Sequence, residues 1–345
     1  MTNHTHSDGL INEIESIINS YVQCWETGEN HFIMPTIPGG IVDSTLKISN
    51  TITICEQKYL VFITTGTSIT EKFKWRYQIE NLPFDVVLKL PAILLHSLRS
   101  QTVNYDHKVL WSWVGQLLVN TQMSRKGIDI ISDREFIDAL ILLIRVELAS
   151  IGQPPSTPEI ATLNRLISDI VNWNVQEMVR NNHLMALALS FPILERLLKI
   201  KCHKFVELDG KVISEFKIPT GKNRKEKIYH QNSIISNLND LLLLYEEKIA
   251  TDTVKHEINQ FRIQLKSLFP DSEDPLSLIY TWRNNLLHGS STKPFYDAVI
   301  LNLLSLIIID SLSPLYDEMV NNFKKRPPML NSGFDRFNLF PPSIF

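Results

Sequence analysis

Helical spacing of apolar residues, which runs through almost everything after Pro83, constrains the fold of this chain more than any other feature. In the long segments of this region, apolar residues recur at intervals of three and four, the spacing that places them on one face of a helix. These segments lie near residues 84–100, 107–124, 133–150, 159–180, 184–202, 233–248, 253–268, 275–288 and 294–323, the last of which is expected to be kinked at Pro314. Because the connections between them are short, the sequence predicts a mainly α-helical protein built as a helical bundle.

A Pro-rich connection marks the best domain boundary in the chain. Pro154-Pro155 ends one helix, and the capping-box pattern Ser156-x-x-Glu159 begins the next. We therefore predict three regions: an N-terminal domain over residues 1–151, a helical domain over 152–325 and a Pro/Phe-rich C-terminal segment over 326–345. The prolines of the last region exclude a regular helix or strand, and its apolar side chains favour docking in a groove as an extended strap.

The N-terminal domain is expected to be a small α+β unit of unknown role. A helix is predicted over residues 10–27, and alternation of basic or polar with apolar side chains over 72–79 indicates a half-buried strand with a solvated basic face. The alternative for that run is a sheet that faces a nucleic acid. Shorter β-type runs precede it at 45–48, 51–55 and 59–65. The domain is thus β-rich over 41–80 and helical over 83–151.

An insertion over residues 203–232 interrupts the helices of the second domain. Two β-type runs, 205–208 and 212–216, flank Asp209-Gly210, which favours a tight turn, so we predict a β-hairpin insertion. The basic segment behind it is a candidate RNA-binding surface, in which cations contact phosphates and a Tyr stacks on a base. Its residues are Lys222, Arg224, Lys225, Lys227 and Tyr229. The alternative is a solvated loop.

A polar motif lies at the end of the predicted helix 275–288. Asp274 is the expected N-cap, Pro275 occupies the first turn, and Gly289 is a typical residue just beyond a helix end. The last two turns of this helix and the glycine read Trp-Arg-Asn-Asn-Leu-Leu-His-Gly over residues 282–289.

Three side chains of this motif suit phosphodiester chemistry. Asn284 and His288 are four residues apart and share a helix face, while Arg283 lies about 100° around the helix from Asn284. An Arg keeps its charge at all working pH values, whereas an imidazole titrates near neutrality. A fixed cation beside a group that can move a proton is suited to stabilising charge on a phosphate. Arg283, Asn284 and His288 are therefore the candidate catalytic residues.

This motif resembles the Arg-x4–6-His signature of the HEPN superfamily, whose members are mostly metal-independent ribonucleases. Arg283 and His288 have four residues between them, Asn284 fits the family's small polar residue after the Arg, and the glycine that follows fits its common His-Gly ending. Arg224 and His230 also satisfy the bare spacing, but they lie in a Lys-rich segment without a helical period. We interpret that pair as a chance match.

A second segment that resembles the family lies about ninety residues upstream. An apolar run ends in a Leu-Glu-x-Leu-Leu pattern, as in the helix that precedes the motif helix of many HEPN domains, and Glu195 would be the family Glu in a supporting role. Pro192 is expected to kink this helix or to start it afresh. The alternative is an amphipathic core helix with a solvated Glu195–Lys199 pair. The resemblance covers about residues 158–325.

The resemblance implies an endoribonuclease in which two HEPN domains pair and both motif helices face one cleft. His288 would exchange a proton with the RNA 2′-hydroxyl or the leaving 5′-oxygen, Arg283 would stabilise the phosphate, and Asn284 would orient the imidazole or contact phosphate. The products would be a 2′,3′-cyclic phosphate and a 5′-hydroxyl. The family also implies a toxin or phage-defence role, with an antitoxin or regulatory partner.

Two other hypotheses compete with this enzyme. One is a HEPN-like module that serves in dimerisation or RNA binding and does not cleave, and the other is a generic helical scaffold with a chance motif. The complete set of Arg283, Asn284 and His288 favours the enzyme. Apolar surface on the motif helix and on the helix over 294–315 favours a homodimer.

Composition argues against several other classes of protein. The net charge is −3, so any RNA contact must be local. Three well-separated cysteines favour a reducing compartment, and the N-terminus lacks the regions of a signal peptide, so a cytoplasmic location is expected. Polar residues interrupt the most apolar run, 298–315, which favours a buried helix over a membrane span. With no Gly-rich phosphate loop and no metal-ligand spacing, we predict neither a cofactor nor a metal site.

Overall fold

The computed structural model describes residues 2–27, 51–54, 57–60, 63–64, 77–100, 105–121, 129–150, 175–220, 225–289 and 295–325. Within these residues the fold is mainly helical, which confirms the predicted class. The predicted boundary at 152–159, the C-terminal segment 326–345, the strand at 45–48 and most of the run 72–79 lie outside them.

The helices follow the predicted succession closely. Their bounds are α1 Thr2–Thr27, α2 Phe84–Leu95, α3 Tyr105–Thr121, α4 Asp129–Ser132, α5 Arg134–Ser150, α6 Val175–Lys201, α7 Leu238–Lys248, α8 Asp252–Leu268, α9 Ser277–Leu287, α10 Tyr296–Leu312 and α11 Tyr316–Lys325. Short 3₁₀ segments lie at Ile79–Asn81, His96–Ser100 and Ser313–Leu315. The last of these contains Pro314 and separates α10 from α11, so the predicted interruption of this helix is confirmed.

Within the described residues, six short strands pair two by two. They are β1 Thr51–Ile54, β2 Gln57–Leu60, β3 Ile63–Thr64, β4 Tyr77–Gln78, β5 Phe216–Thr220 and β6 Lys225–Tyr229. The pairs β1–β2 and β5–β6 are antiparallel and β3–β4 is parallel. In the last hairpin Phe216 lies opposite Tyr229, and Thr220 lies opposite Lys225.

The hairpin predicted around Asp209-Gly210 is present only as a short antiparallel pairing, and the regular two-stranded hairpin lies further along the chain. Around Asp209-Gly210 the structure contains a tight turn with an isolated bridge between Val206 and Val212, and the two-stranded hairpin begins only at Phe216. The turn itself matches its sequence, because Gly210 has a φ of +94° and the Asp209 carboxylate accepts a hydrogen bond from the Lys211 N–H at 2.8 Å. Across this turn the Glu207 N–H donates to the carbonyl of Lys211 and the Ile213 N–H to that of Phe205. The Val212 N–H donates instead to the carbonyl of Ser233.

Helix α6 also differs from its prediction, because one helix runs from residue 175 to residue 201 without the expected break near residues 181–183 or at Pro192. A proline inside a helix costs about 3 kcal/mol. Pro192 itself is exposed, while the neighbouring apolar residues are buried in the core: Ala186, Leu187, Phe191, Leu194, Leu197 and Leu198. Since each fully buried large side chain contributes roughly 1.5–3 kcal/mol, their packing outweighs the cost of the proline.

Helix α10 is the centre of the bundle. Every residue from Asp297 to Ile309 is buried, and the helix contacts α2, α3, α6 and α8. Its most apolar window has the length and composition of a membrane span but is 78% buried inside the fold, as in the core helix of a soluble protein. The prediction that this helix offers surface for a dimer was therefore wrong, because the chain's own helices cover it.

Helices from either side of the predicted boundary near residue 152 pack in one core. Helix α5 lies along α6, and α2 packs on both α8 and α10. Trp111 and Trp113 of α3 are fully buried in this core. The helical part of the region 83–151 thus supports the same bundle that carries the candidate site.

Candidate functional site

The helix that carries the polar motif begins slightly later than predicted. Residues 274–276 form a turn, in which the Asp274 carboxylate accepts from the Leu276 N–H at 3.2 Å, and the regular helix α9 starts at Ser277. The carbonyl of Asp274 accepts from the Ser277 N–H at 3.2 Å. Asp274 therefore organises the helix start as expected, although Pro275 lies in the preceding turn and not in the first helical turn.

Trp282 anchors this helix to the bundle. The indole is buried and stacks on Tyr296, at the start of α10, with ring centroids 4.0 Å apart and an interplanar angle of 8°. Phe269 closes the cluster, with its ring centroid 5.3 Å from that of Trp282. Since this aromatic packing fixes both the position and the rotation of α9, it sets where the neighbouring motif side chains point.

The helix ends as its sequence predicts. The His288 N–H donates to the carbonyl of Asn284 at 3.0 Å, and the Gly289 N–H donates to that of Leu286 at 3.1 Å. Gly289 has a φ of +69°, the left-handed conformation that a glycine adopts without strain. His288 is exposed at this end of the helix, and Asn284 is half-buried.

The structure brings Arg283 together with Glu195, the supporting residue predicted 88 positions upstream. The Arg283 guanidinium donates through Nη2 to Glu195 Oε2 at 3.2 Å. The other oxygen of this carboxylate, Oε1, lies 2.9 Å from the Lys199 ammonium. The alternative, a solvated Glu195–Lys199 pair, is correct about the ion pair and wrong about its exposure. The Glu195 side chain is only 19% exposed and that of Lys199 only 11%.

Arg283 and His288 do not contact each other directly. Five residues along an α-helix correspond to about 140° of rotation, so the two side chains leave the helix in different directions. Arg283 points to α6, whereas His288 lies at the exposed helix end. Among the described residues, no hydrogen bond links the two side chains. A phosphate that contacts both must therefore lie across the end of α9.

A second ion-pair cluster, which the sequence analysis did not predict, fixes the orientation of α6. Arg196 donates from Nε to Asp133 Oδ2 at 2.8 Å and from Nη2 to Glu135 Oε2 at 2.9 Å. The hydrogen bond to Asp133 is the main cause that raises the pKa of Arg196. No local pattern predicts this pairing, because the partners are more than sixty residues apart. It ties α6, and with it Glu195, to α4 and α5.

Two of the predicted RNA-binding residues bind a carboxylate of the same chain in the structure. Lys227 Nζ lies 2.7 Å from Asp240 Oδ2, and the Tyr229 hydroxyl donates to the same oxygen at 2.5 Å. The Tyr229 ring is buried and stacks on Phe216, so the prediction that it stacks on a base was wrong. The hydrogen bond to Asp240 raises the pKa of Lys227, and burial is the main cause that raises the pKa of Tyr229.

These contacts anchor the hairpin on α7. Asp240 lies in the first turn of α7 and is buried, and α7 contacts both β5 and the motif helix α9. In the sequence Asp240 appears only as an acidic residue at a helix start, which is a common position with no functional meaning of its own. Lys222 and Arg224 lie outside the described residues, and of Lys225 only the backbone is described, as part of β6.

His230, which forms the chance match with Arg224, pairs with Glu215 at 2.8 Å across the hairpin base. In the part of the chain that the structure describes, no group of three or more His, Cys, Asp or Glu side chains could hold a metal ion. No family model, curated protein or solved structure matches this chain.

Proposed function

We propose that this protein is a metal-independent endoribonuclease of the HEPN type, acting in the cytoplasm. The contact of Arg283 with Glu195 supports this proposal most strongly, because it joins the two segments that resemble the family. His288 supports it as well, since an exposed imidazole at the end of α9 is accessible to a large substrate.

In the proposed reaction, the neutral imidazole of His288 accepts the proton of an RNA 2′-hydroxyl. The resulting oxygen attacks the adjacent phosphorus, and the bond to the 5′-oxygen breaks as that oxygen receives a proton. Arg283 stabilises the charge that accumulates on the phosphate, an effect that is worth about 3–4 kcal/mol for comparable groups. The products are a 2′,3′-cyclic phosphate and a 5′-hydroxyl.

A second copy of the chain completes the proposed site. One imidazole accepts the proton of the attacking hydroxyl, and a second group must donate a proton to the leaving oxygen, so a pair of α9 ends in one cleft supplies both. Of the two helices from which a dimer was predicted, α9 leaves apolar surface open, at Leu287, which is 70% exposed. A role as a toxin or defence effector, held inactive by a partner, follows from the family resemblance alone.

The ion pair of Arg283 also favours a second hypothesis, a helical module that binds RNA or dimerises without cleaving. Glu195 already compensates much of the charge of Arg283, and a structural salt bridge between α9 and α6 would by itself account for both residues. Such a module would retain RNA binding and lack products with cyclic phosphate ends.

Cleavage of total RNA in the presence of EDTA tests the proposal. We expect fragments with 2′,3′-cyclic phosphate and 5′-hydroxyl ends, and a loss of at least about 100-fold in rate for His288→Ala with an unchanged melting temperature. His256→Ala is the matched control, since this histidine is also exposed and lies on α8. RNA binding without cleavage would instead support the non-cleaving module.

A further inference from the structure

Glu195 is shared between two cations, and each takes one of its oxygens. Lys199 lies 2.9 Å from Oε1, and Arg283 reaches Oε2 with a single nitrogen at 3.2 Å. Charge-assisted N–H···O bonds are typically 2.7–2.9 Å long, and Arg–carboxylate pairs are frequently bidentate. The bond of Arg283 is thus longer than usual and uses only one of its donors.

Lys199 is held in place from several sides. It lies one turn after Glu195 on α6, and its side chain is only 11% exposed. Its ammonium lies close to the turn at Gly210, where an added Cβ would be 3.7 Å from Nζ. The turn at Gly210 is itself fixed, because its N–H donates to Glu207 and its carbonyl accepts from Ile235. Lys199 is therefore packed against the fold and offers little surface to RNA.

We propose that Lys199 is a positioning residue that keeps Arg283 available to the RNA phosphate. Lys199 occupies Oε1, so Glu195 can orient the guanidinium through Oε2 but cannot take both of its nitrogens. The two cations and one carboxylate also leave the cluster with a net charge of +1, which favours an anion. This inference rests on the proposed function, because it names how the phosphate-binding group of that site is controlled.

Removal of Lys199 should let Glu195 rotate and hold Arg283 with both oxygens. In Lys199→Met the guanidinium fork is then turned to the carboxylate and the cluster is neutral. The double variant Lys199→Met with Glu195→Gln has no carboxylate at position 195, so the Arg283 guanidinium is again free to bind another anion. Lys199→Arg retains a cation at Oε1 and should behave like the natural protein.

The availability of the Arg283 guanidinium can be measured without any RNA. The assay is chemical modification of Arg283 by phenylglyoxal, followed by peptide mass spectrometry. We expect modification of Arg283 to be several-fold slower in Lys199→Met and to recover in the double variant. Lys89→Met is the matched control, since Lys89 is a half-buried lysine near another carboxylate, that of Glu257. Equal reactivity in Lys199→Met and the natural protein overturns the inference.

Cleavage kinetics provide the second readout. Because Arg283 is proposed to act on charge that develops in the transition state, Lys199→Met should lower kcat about tenfold with little change in KM, and the double variant should recover it. Normal cleavage by Lys199→Met overturns the inference and leaves the proposed function intact. If the natural protein does not cleave at all, the proposed function fails, and the modification assay still decides the role of Lys199.

Should Lys199→Met fail to fold, Glu195→Gln alone decides the question. It removes the negative charge that holds Arg283, so modification by phenylglyoxal should become faster than in the natural protein. An unchanged rate of modification would show that Glu195 does not restrain Arg283, and the inference would be wrong.

Discussion

The fold strongly constrains the ionisation of His107, whose pKa lies within the range of ordinary pH. The Ser97 hydroxyl donates to the Leu94 carbonyl at 2.7 Å and lies 3.1 Å from His107 Nε2. His107 Nδ1 lies 3.3 Å from the side-chain oxygen and 3.2 Å from the side-chain nitrogen of Asn302. The Asn302 oxygen accepts from Trp111 at 2.8 Å, and its nitrogen also donates to the Pro91 carbonyl at 3.2 Å. This network joins α2, α3 and α10.

This network predicts an acid-sensitive fold. Burial lowers the pKa of His107 from 6.5 to about 4, while the hydrogen bond with Asn302 and the field of the Glu147 carboxylate on α5 oppose this shift. Between these pH values the unfolded chain binds a proton that the folded chain excludes. The stabilisation is complete above pH 6.5 and is lost as the pH falls towards 4, by about 3 kcal/mol in all.

Urea unfolding of the natural protein and of His107→Gln from pH 4.5 to 7.5 measures this contribution. The free energy of unfolding should fall more steeply with acidification in the natural protein, while the exposed His256→Gln control should keep the natural slope. Parallel pH profiles for the natural protein and His107→Gln would contradict the assignment.

At the scale of elements, the β5–β6 hairpin is held to α7 by one carboxylate. Asp240 accepts from both Lys227 and Tyr229, and the lysine ammonium also lies 4.7 Å from the centroid of the tyrosine ring. Asp240→Asn should lower the free energy of unfolding by about 2 kcal/mol, because a buried charged acceptor with two donors is lost. Tyr229→Phe removes one of these bonds and retains the stacking on Phe216, so it should cost only about 1 kcal/mol.

The same contact predicts that Lys227 contributes to stability and not to RNA affinity. Lys227→Met should lower stability and leave the dependence of RNA affinity on salt unchanged. A lysine that neutralises a phosphate lowers the slope of log affinity against log salt by about one when it is removed. If Lys227→Met lowers the slope of log affinity against log salt by about one, Lys227 binds RNA and this prediction is wrong.

At the scale of the whole molecule, a paired site can be tested by complementation. Arg283→Ala and His288→Ala proteins should each be inactive, and their mixture should recover part of the cleavage, because one intact Arg and one intact His then come from different chains. Each variant mixed with itself is the control. Sedimentation that shows only monomers at micromolar concentration would contradict the paired site.

Features that depend on neighbouring residues could be predicted from the sequence. Apolar spacing predicted the helices, Pro314 their interruption, and Gly289 the end of the motif helix, because each acts through the backbone within a few residues. The candidate catalytic residues also came from one local motif, Arg283 to His288.

Interactions between distant parts of the chain could be identified only from the fold. The fold pairs Arg283 with Glu195, whose carboxylate also binds Lys199, pairs Lys227 and Tyr229 with Asp240, and keeps α6 continuous through Pro192. The physical reason is the same in each case: the free energies of burial and charge pairing depend on groups brought together by folding, and these outweigh local preferences.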